Sequence, residues 1–404
     1  ERIGMSSVKL DSERVEANPP GAFTGVRVLD LSMYLAGPYC SRLMADMGAD
    51  IVKIEPPSGD FLRSAPPMRD GSSAYFGHLN CGKRSVCIDL KQPEGIEIIK
   101  RLLEETDVLL ENFRPGVMAR FGLDYEAVKL IKPDIVYCSV SGYGQTGPSA
   151  SLPAFAPIIH ASSGFEMQSI RYEADIERPI ANRNCMADYL AATHALAGIG
   201  AALFRRATTG KGDYLDVALM DTVHNAMGYE YVDAQFPGQP TPTFRPMRTL
   251  DGFIAMAPVS EPNFRALARA ANSSHWLEDP RFVTREKRIG HWQEFLDVIE
   301  LWTQTVTSDD AESNLAREGC PASIYRSIAD SQVDPQVRVR GSAVDVEDTS
   351  GTFQVANCPI KFTDAIANAG ENVPELGEHA DEVLAAAGYS AEKIKALRGV
   401  NVII

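Results

Sequence analysis

One carboxylate, Asp188, stands where the sequence could hold a nucleophile. It precedes a stretch from Tyr189 to Arg206 that is mostly Ala, Leu, Ile and Gly, and this stretch predicts a closely packed helix whose first turn opens toward a cleft. The partial positive charge of a helix N-terminus predicts that a carboxylate held there stays ionised. The structural alternative is an N-cap, in which the side chain only accepts hydrogen bonds from the first-turn amides.

Three further clusters place cations, amides or glycines next to predicted strands. The segment from Asn112 to Gly116, with Arg120 in the next helical turn, follows the strand VLLE, and the glycine-rich loop 141–148 follows another strand. The segment from Asn80 to Ser85, which holds two adjacent cations, precedes a third strand. Such groups can meet phosphates through charge or through closely approaching backbone N–H groups. Each cluster also has an ordinary alternative as a solvated or flexible turn.

The elements that must position these groups alternate between strands and helices from Gly25 onward. The runs VRVLDL, ADIVKIE, SVCIDL, DVLLENF and DIVYCSV are separated by helical stretches. This pattern predicts an α/β fold with a large, Rossmann-like parallel sheet that binds its ligands at the carboxyl ends of the strands. LSMYLAGPYC follows the first strand where a dinucleotide-binding protein has G-x-G-x-x-G, so the pattern disfavours an NAD enzyme.

Shifts in composition predict the domain boundaries. Residues 1–24 are polar and predict a disordered or extended tail, and residues 25–225 predict the large domain. The proline-rich stretch FPGQPTPTFRPMR lies in a predicted linker over 226–248, because its four prolines cannot continue a helix or a strand. Residues 249–335 predict a smaller α+β domain, and 336–404 a second linker with a C-terminal segment that returns to the large domain.

The composition of the chain excludes several classes of function. A formal net charge of −15 disfavours binding to nucleic acid, which needs a basic face. Seven scattered cysteines without a CxxC pair indicate neither a disulfide framework nor a zinc site, and no metal is expected. The apolar run within the Asp188 helix is read as a core helix, so no membrane association is expected, and the predicted location is the cytoplasm.

The order of the motifs resembles one family. VRVLDLSMYLAGPYCSRLMADMGADIVKIEPPSGD, NCGKRSVCIDLKQPEG, VLLENFRPGVMARFGL, IVYCSVSGYGQTGP and the Asp188 segment with TGKGDYLDVALMD follow one another as in the class III CoA-transferases. That family also includes α-methylacyl-CoA racemases. The resemblance runs from about Gly25 to the end of the chain, and it includes DPRF, DPQVRVRG and LGEHADEVL.

The resemblance implies an architecture and a site. Large and small domains are joined by long linkers, and two ring-shaped chains interlock as a homodimer. Coenzyme A is implied as a substrate and not as a tightly bound cofactor, with Asp188 as the catalytic aspartate and with Tyr143 and Gly144 near the thioester. The residues that match the CoA pocket are Ala36, Lys53, Asn80, Lys83, Arg84, Asn112, Phe113 and Arg120.

The predicted reaction moves CoA from an acyl-CoA to a small carboxylic acid. A carboxylate that attacks the thioester gives a mixed anhydride, which the released thiolate converts to an aspartyl-CoA thioester. The incoming acid then repeats these steps in reverse. Backbone N–H groups of residues 142–147 are the expected oxyanion donors.

Two alternatives remain, a racemase and a non-catalytic CoA-binding subunit. The racemase partner of the aspartate is a histidine, and here Phe155 falls at the matching position, while His160 is expected to be packed in a helix. The presence of Asp188 disfavours the non-catalytic subunit.

The choice of substrate stays open. Formyl-CoA transferases have a run of glycines where this chain has PGQPTPTFRPMR, and the lack of that run disfavours oxalate as the acceptor. Arg245 or Arg248 is a candidate to pair with the second carboxylate of a dicarboxylic acid.

Overall fold

A parallel sheet forms the centre of the larger of two compact units. A computed structural model of the chain describes residues 19–168, 170, 177–236 and 242–404. The larger unit extends to Gly228 and resumes at Arg340, and the smaller unit comprises Tyr229–Val339. The strands of the larger unit up to Gly228 are β1 (Arg27–Asp30), β2 (Asp50–Glu55), β3 (Met68–Arg69), β4 (Ser72–Ser73), β5 (Arg84–Cys87), β6 (Val108–Glu111), β7 (Val136–Ser141) and β8 (Asp213–Ala218).

Within the described residues, six of these strands form one sheet in the order β5-β2-β1-β6-β7-β8, and every neighbouring pair is parallel. Strands β6 and β7 are fully buried, as apolar strands covered on both faces must be. The predicted large parallel-sheet domain is therefore confirmed. The strand order reverses between β1 and β6, and sheets of this kind bind ligands at the carboxyl ends of the strands on either side of that switch point.

Helices cover the two faces of the sheet. One face packs on α1 (Ala36–Asp46) and on the long helix that carries Asp188, and the other packs on α3 and α5. Among the described residues of this part of the chain, the helices are α1, α2 (Ala74–Asn80), α3 (Pro93–Leu103), α4 (Val117–Arg120), α5 (Tyr125–Ile131), α6 (Ala156–Ser162), α7 (Met186–Thr209) and α8 (Leu219–Ala226), with a 3-10 turn over Phe61–Ser64.

Helix α7 is the long small-residue helix predicted from the sequence. Its buried face is built from alanines and Ile199, which lets it approach α1, β7 and β8 closely. It ends at Gly210, whose φ of 70° is the left-handed conformation that glycine adopts readily at a helix C-terminus. Its 24 residues and mean hydropathy of 1.2 would also suit a membrane span. One face of it packs on the sheet, and 33% of its apolar stretch is buried.

The smaller unit is an α+β structure. Its antiparallel sheet has the order β11-β10-β9 and packs with α10, α12 and α13 around Phe264, Phe282 and Phe295. Its elements are α9 (Gly228–Asp233), β9 (Met247–Arg248), β10 (Phe253–Met256), α10 (Glu261–Ala270), α11 (Arg285–Gly290), α12 (Trp292–Thr303), α13 (Ser308–Glu318), β11 (Ala322–Ile324), α14 (Ile328–Gln332) and α15 (Pro335–Val339), with a 3-10 turn over Ser274–Leu277.

The last part of the chain returns to the larger unit. A hairpin of β12 (Ala343–Asp348) and β13 (Gly351–Ala356) precedes α16 (Ala380–Ala386) and α17 (Ala391–Gly399). Both helices pack on the sheet face that α3 covers, and Ile403 bridges to Ile88 beside β5. The last residues of the chain therefore complete the core of the large domain.

The structure refines the predicted boundaries. The predicted linker 226–248 contains α9 and β9, and residues 237–241 of it lie outside the described part of the chain. The predicted tail 1–24 is described only from residue 19, and Gly21 forms a bridge with Ile366.

Candidate active site

Asp188 lies in the first turn of α7 and is half-buried. The N-cap of this helix is Cys185, so Asp188 does not have the capping role that the sequence left open. Burial raises the pKa of Asp188 to about 7, and a backbone hydrogen bond with Ala156 acts in the opposite direction. The prediction that this carboxylate stays ionised at the helix N-terminus therefore does not hold at and below neutral pH, because desolvation is the largest influence on its pKa. A carboxylate with a raised pKa is a stronger nucleophile once it is ionised.

Helix α6 packs against the first turn of α7. Its N-cap, Phe155, is exposed, and its first residue, Ala156, makes the backbone hydrogen bond with Asp188. His160 is fully buried in this helix, as predicted, and its Nε2 accepts a hydrogen bond from the backbone of Ala187. A histidine enclosed in this way does not reach a substrate, which disfavours the racemase alternative.

The glycine-rich loop after β7 approaches the same place. A Cβ on Gly142 would lie 2.4 Å from the Cβ of Ala154, so the close approach of the two segments requires glycine. The amide of Gln145 donates to Asp216 at 2.9 Å. The amides of Tyr143 and Gly144 have no hydrogen-bond partner within the described residues, which leaves both free for a ligand oxygen.

Asn112 joins the loops that follow β1 and β6. Its Oδ1 accepts from the amide of Met33 at 2.8 Å, and its Nδ2 donates to the carbonyl of Met33 at 2.7 Å. The two loops flank the switch point of the sheet, and Ala36 starts α1 directly after the first of them. The side chain of Asn112 thus holds together the two loops that carry Asn112 and Ala36, which are both predicted CoA residues.

Tyr34 is a residue of this region that sequence reasoning missed. Its φ of 64° is the left-handed conformation, which costs a non-glycine residue energy and so marks a constrained position. Its ring contacts Phe61 at 5.5 Å and Phe155 at 5.4 Å between centroids, and all three rings are exposed. Since Phe155 precedes Ala156, this aromatic cluster lies next to Asp188. In the sequence, the only indication of this position is that Tyr34 lies in the turn SMYLAGP, close to a Gly-Pro pair.

Three predicted CoA residues, Lys53, Asn80 and Lys83, lie inside the protein. Lys53 Nζ donates to Asp60 and to the carbonyl of Ser32, and Lys83 Nζ donates to Asp30 and Asn80. All are buried, and burial lowers the pKa of Lys83 to about 8. With their polar atoms taken up by internal partners, they hold the loop after β1 in place instead of presenting charge to a ligand.

The end of β6 presents unpaired cations. Arg120 in α4 and its neighbour Arg114 are exposed, and their guanidinium groups have no ion-pair or hydrogen-bond partner within the described residues. Phe113 packs on the core, and its amide donates to the buried carboxyl of Glu111 at 2.8 Å. In a chain of net charge −15, two free guanidiniums beside the switch point are well placed for an anionic ligand.

Arg84 lies apart from this group. Its guanidinium makes a bidentate pair with Asp50 and a second pair with Glu382. Asp50 is the first residue of β2, so this ion pair lies toward the amino end of that strand, whereas Ala36, Asn112 and Arg120 follow the carboxyl ends of β1 and β6. The prediction that the adjacent Lys83 and Arg84 act together at one phosphate site is not supported by this arrangement.

The arrangement therefore joins four features at the carboxyl edge of one parallel sheet: a half-buried carboxylate, two free backbone amides, a rim of exposed aromatic rings and two free cations. The carboxylate can attack an electrophilic carbonyl, the amides can bind the resulting oxyanion, and the cations can bind phosphate.

Comparison with known proteins agrees with this chemistry. The model of CoA-transferase family III matches residues 23–380, and the chain belongs to this family. The predicted enzyme class, a CoA-transferase, is thereby confirmed. The chain is 34% identical over 386 residues to a succinate–glutarate CoA-transferase of Agrobacterium fabrum, covering 91% of this chain and 95% of the relative. It is also 34% identical to a succinyl-CoA:mesaconate CoA-transferase of Haloarcula hispanica, covering 91% and 97%. The crystal structure of a CAIB/BAIF family protein from Brucella suis superposes with a TM-score of 0.80 at 31% identity, covering 91% of this chain and all of that one.

Proposed function

We propose that the protein transfers CoA from an acyl-CoA to a dicarboxylic acid through covalent intermediates on Asp188. The observation that carries the proposal is the half-buried carboxylate of Asp188, whose pKa is raised to about 7. The loop that holds the two free amides packs on Ala154, two residues before Ala156, which makes a hydrogen bond with this carboxylate. The carboxylate attacks the thioester carbonyl and the C–S bond breaks, which gives a mixed anhydride and CoA thiolate. The thiolate then attacks the Asp188 carbonyl, releasing the donor acid and leaving an aspartyl-CoA thioester.

The second half of the reaction reverses the first with a new acid. The acceptor carboxylate displaces thiolate from the aspartyl thioester, and the thiolate attacks the acceptor carbonyl of the new anhydride. The amides of Tyr143 and Gly144 are the proposed oxyanion donors. Arg114 and Arg120 are the proposed phosphate contacts of CoA, together with Ala36, Asn112 and Phe113 of the joined loops.

A dicarboxylic acceptor is supported by the relatives, whose names give succinate, glutarate and mesaconate as substrates. A second carboxylate needs a cation. Arg245 is already paired with Asp297 and Glu300, each at 2.7 Å, so its predicted role in binding substrate has lost its basis. Arg248 lies over the ring of Phe253 and stays a candidate. Arg183, five residues before Asp188, is exposed and without an ion-pair partner in the described chain, which makes it a second candidate.

Oxygen transfer from a labelled acceptor tests the covalent route. When the thiolate attacks the acceptor carbonyl, the bridging oxygen of the anhydride stays on Asp188, and that oxygen came from the acceptor. A single turnover with an ¹⁸O-labelled dicarboxylic acid should add roughly 2 Da, the mass difference between the two oxygen isotopes, to the peptide that holds Asp188, and repeated turnover should add up to roughly 4 Da, because both carboxylate oxygens exchange in turn. Asp188→Asn should neither turn over nor take up label. Transfer without label in Asp188 would refute the mechanism. Exchange of the α hydrogen of an acyl-CoA with solvent, without an acceptor, would instead indicate a racemase.

The assembly and location stay proposals as well. A homodimer is supported by the exposed face of α7, where Phe204 is 74% accessible, and light scattering on the purified protein tests it. Cysteines that are all free in the structure agree with the proposed cytoplasmic location.

A further inference from the structure

The first turn of α7 lacks a cap of its own. Its N-cap residue, Cys185, makes no side-chain hydrogen bond to the helix, and its carbonyl accepts from the amides of Asp188 and Tyr189. The amide of Ala187, directly before Asp188, has no acceptor within its own helix, as expected for a first-turn amide. It donates instead to Nε2 of His160 in α6, at 3.1 Å.

We propose that His160 is a positioning residue for Asp188, which it serves by capping the first turn of α7 from the neighbouring helix. This inference rests on the proposed function, since it concerns the orientation of the proposed nucleophile. The contact between the two helices has two points: Ala156 makes a backbone hydrogen bond with the Asp188 carboxylate, and His160 of the same short helix holds the preceding amide.

The contact defines the form of the imidazole. An N–H donor at Ala187 requires an unprotonated Nε2, so the single proton of the neutral ring is on Nδ1. That atom lies 3.7 Å from Oε1 of Glu166, and the ring lies against Phe165 with centroids 5.0 Å apart. Burial lowers the pKa of His160, which favours the neutral ring that this cap needs.

The role differs from that of a general base. His160 is fully buried and touches the backbone before Asp188, not a substrate. Its loss should leave CoA binding intact and disturb the angle at which the carboxylate meets the thioester. A small misplacement of a reacting group slows chemistry far more than it weakens binding.

Three substitutions separate a lost cap from a general packing defect. In His160→Gln the amide oxygen lies near the former Nε2 and can still accept from Ala187. The leucine of His160→Leu has a similar volume but offers no acceptor to the Ala187 amide. The asparagine of His160→Asn has an acceptor, but its side chain is too short to reach that amide. We expect kcat to fall at least about 10-fold in the Leu and Asn variants, with KM for acyl-CoA within about 2-fold, and the Gln variant to stay within about 3-fold of wild type.

Hydrogen exchange followed by mass spectrometry gives a second readout that does not depend on activity. A peptide covering residues 185–190 should exchange faster in the Leu and Asn variants and at the wild-type rate in the Gln variant, because the Ala187 amide loses its acceptor only in the first two. If the Leu variant fails to fold, the Asn and Gln pair carries the comparison.

Equal kcat in all variants, equal losses in all variants, or a KM that rises together with the loss of kcat would overturn the proposal. Unchanged exchange in the Asn variant would do the same. If the wild-type protein transfers no CoA, the proposed function fails, and the exchange rates still decide whether His160 holds this turn.

Discussion

The raised pKa of Asp188 makes the activity dependent on pH near neutrality. The nucleophile is the ionised carboxylate, and its pKa is about 7. Its ionised fraction is about 9% at pH 6 and about 91% at pH 8, by the ordinary titration relation. We therefore expect kcat/KM for the acyl-CoA to rise about 10-fold between these pH values and to level off above pH 8.

The same shift predicts an effect on stability, with a defined sign. A carboxyl whose folded pKa lies above its unfolded value stabilises the fold most below the unfolded value of 3.8, and this contribution is lost as pH rises through about 7. At roughly 1.4 kcal/mol for each pH unit between the two values, the ionised form costs up to about 4 kcal/mol, and less to the extent that water reaches the half-buried carboxylate. Asp188→Asn should thus raise the free energy of unfolding above pH 7, by roughly 1–4 kcal/mol, and leave it nearly unchanged at pH 4.

Stopped-flow or coupled assays from pH 5.5 to 8.5, with urea unfolding at the same pH values, test both effects. Burial also raises the pKa of Glu111 to about 7, so Glu111→Gln is the matched control and should keep the wild-type profile. The Kd of desulfo-CoA, measured over the same pH range, shows how much of the pH dependence comes from titration of the CoA phosphates and not from Asp188. A rate that is flat between pH 6 and 8, or a rise that disappears in Glu111→Gln, would refute the assignment to Asp188.

Three further substitutions distinguish binding from support. Asn112→Ala removes both hydrogen bonds to Met33, and we expect it to lower the free energy of unfolding by roughly 1–3 kcal/mol and to raise KM for acyl-CoA, measured by urea titration and steady-state kinetics. Lys53→Met leaves the buried Asp60 without its cation and should cost roughly 3–5 kcal/mol of stability in the same titration. Arg120→Ala removes one exposed, unpaired cation, so we expect it to raise KM for acyl-CoA about 10-fold and to leave the thermal stability unchanged. At raised salt concentration, the KM of the variant and the KM of the wild type should become more similar, because salt screens the lost attraction.

Each of these expectations has a result that contradicts it. Stability unchanged in Asn112→Ala would mean that the two loops hold without the amide. A Lys53→Met variant that is fully stable but has a raised KM would restore Lys53 as a direct CoA ligand. If the ratio of KM between Arg120→Ala and the wild type does not change with salt concentration, Arg120 does not contact a phosphate of CoA.

The sequence predicted the parallel sheet and the place of the nucleophile because both depend on local patterns. Apolar runs such as the one in β6 identify buried strands, and the small residues after Asp188 identify a core helix. The environment of Asp188 was not predictable in the same way. Whether the helix N-terminus or desolvation dominates its pKa depends on α6, which lies about 30 residues earlier in the chain.

The roles of the cations show the same limit. A lysine next to a turn reads as a ligand for phosphate, yet Lys53 and Lys83 point inward, where Asp30 and Asp60 neutralise them. Burial of a charge is a property of tertiary contacts, so composition around the residue does not reveal it. Tyr34 was missed for a related reason, since its left-handed backbone accompanies a contact of its amide with the carboxylate of Asp60, which lies 26 residues further along the chain.

The return of residues 340–404 to the larger unit has a consequence for how the chain folds during synthesis. Ile98, Ile99 and Leu103 of α3 pack with Leu384, Leu397 and Ile403, which are synthesised well after the strands of the sheet. Until then the part of this apolar core that α16 and α17 cover stays open to water and to other nascent chains. A chain truncated before α17 would leave part of that core uncovered permanently, so we expect such a truncation to yield insoluble protein and not merely a less active enzyme.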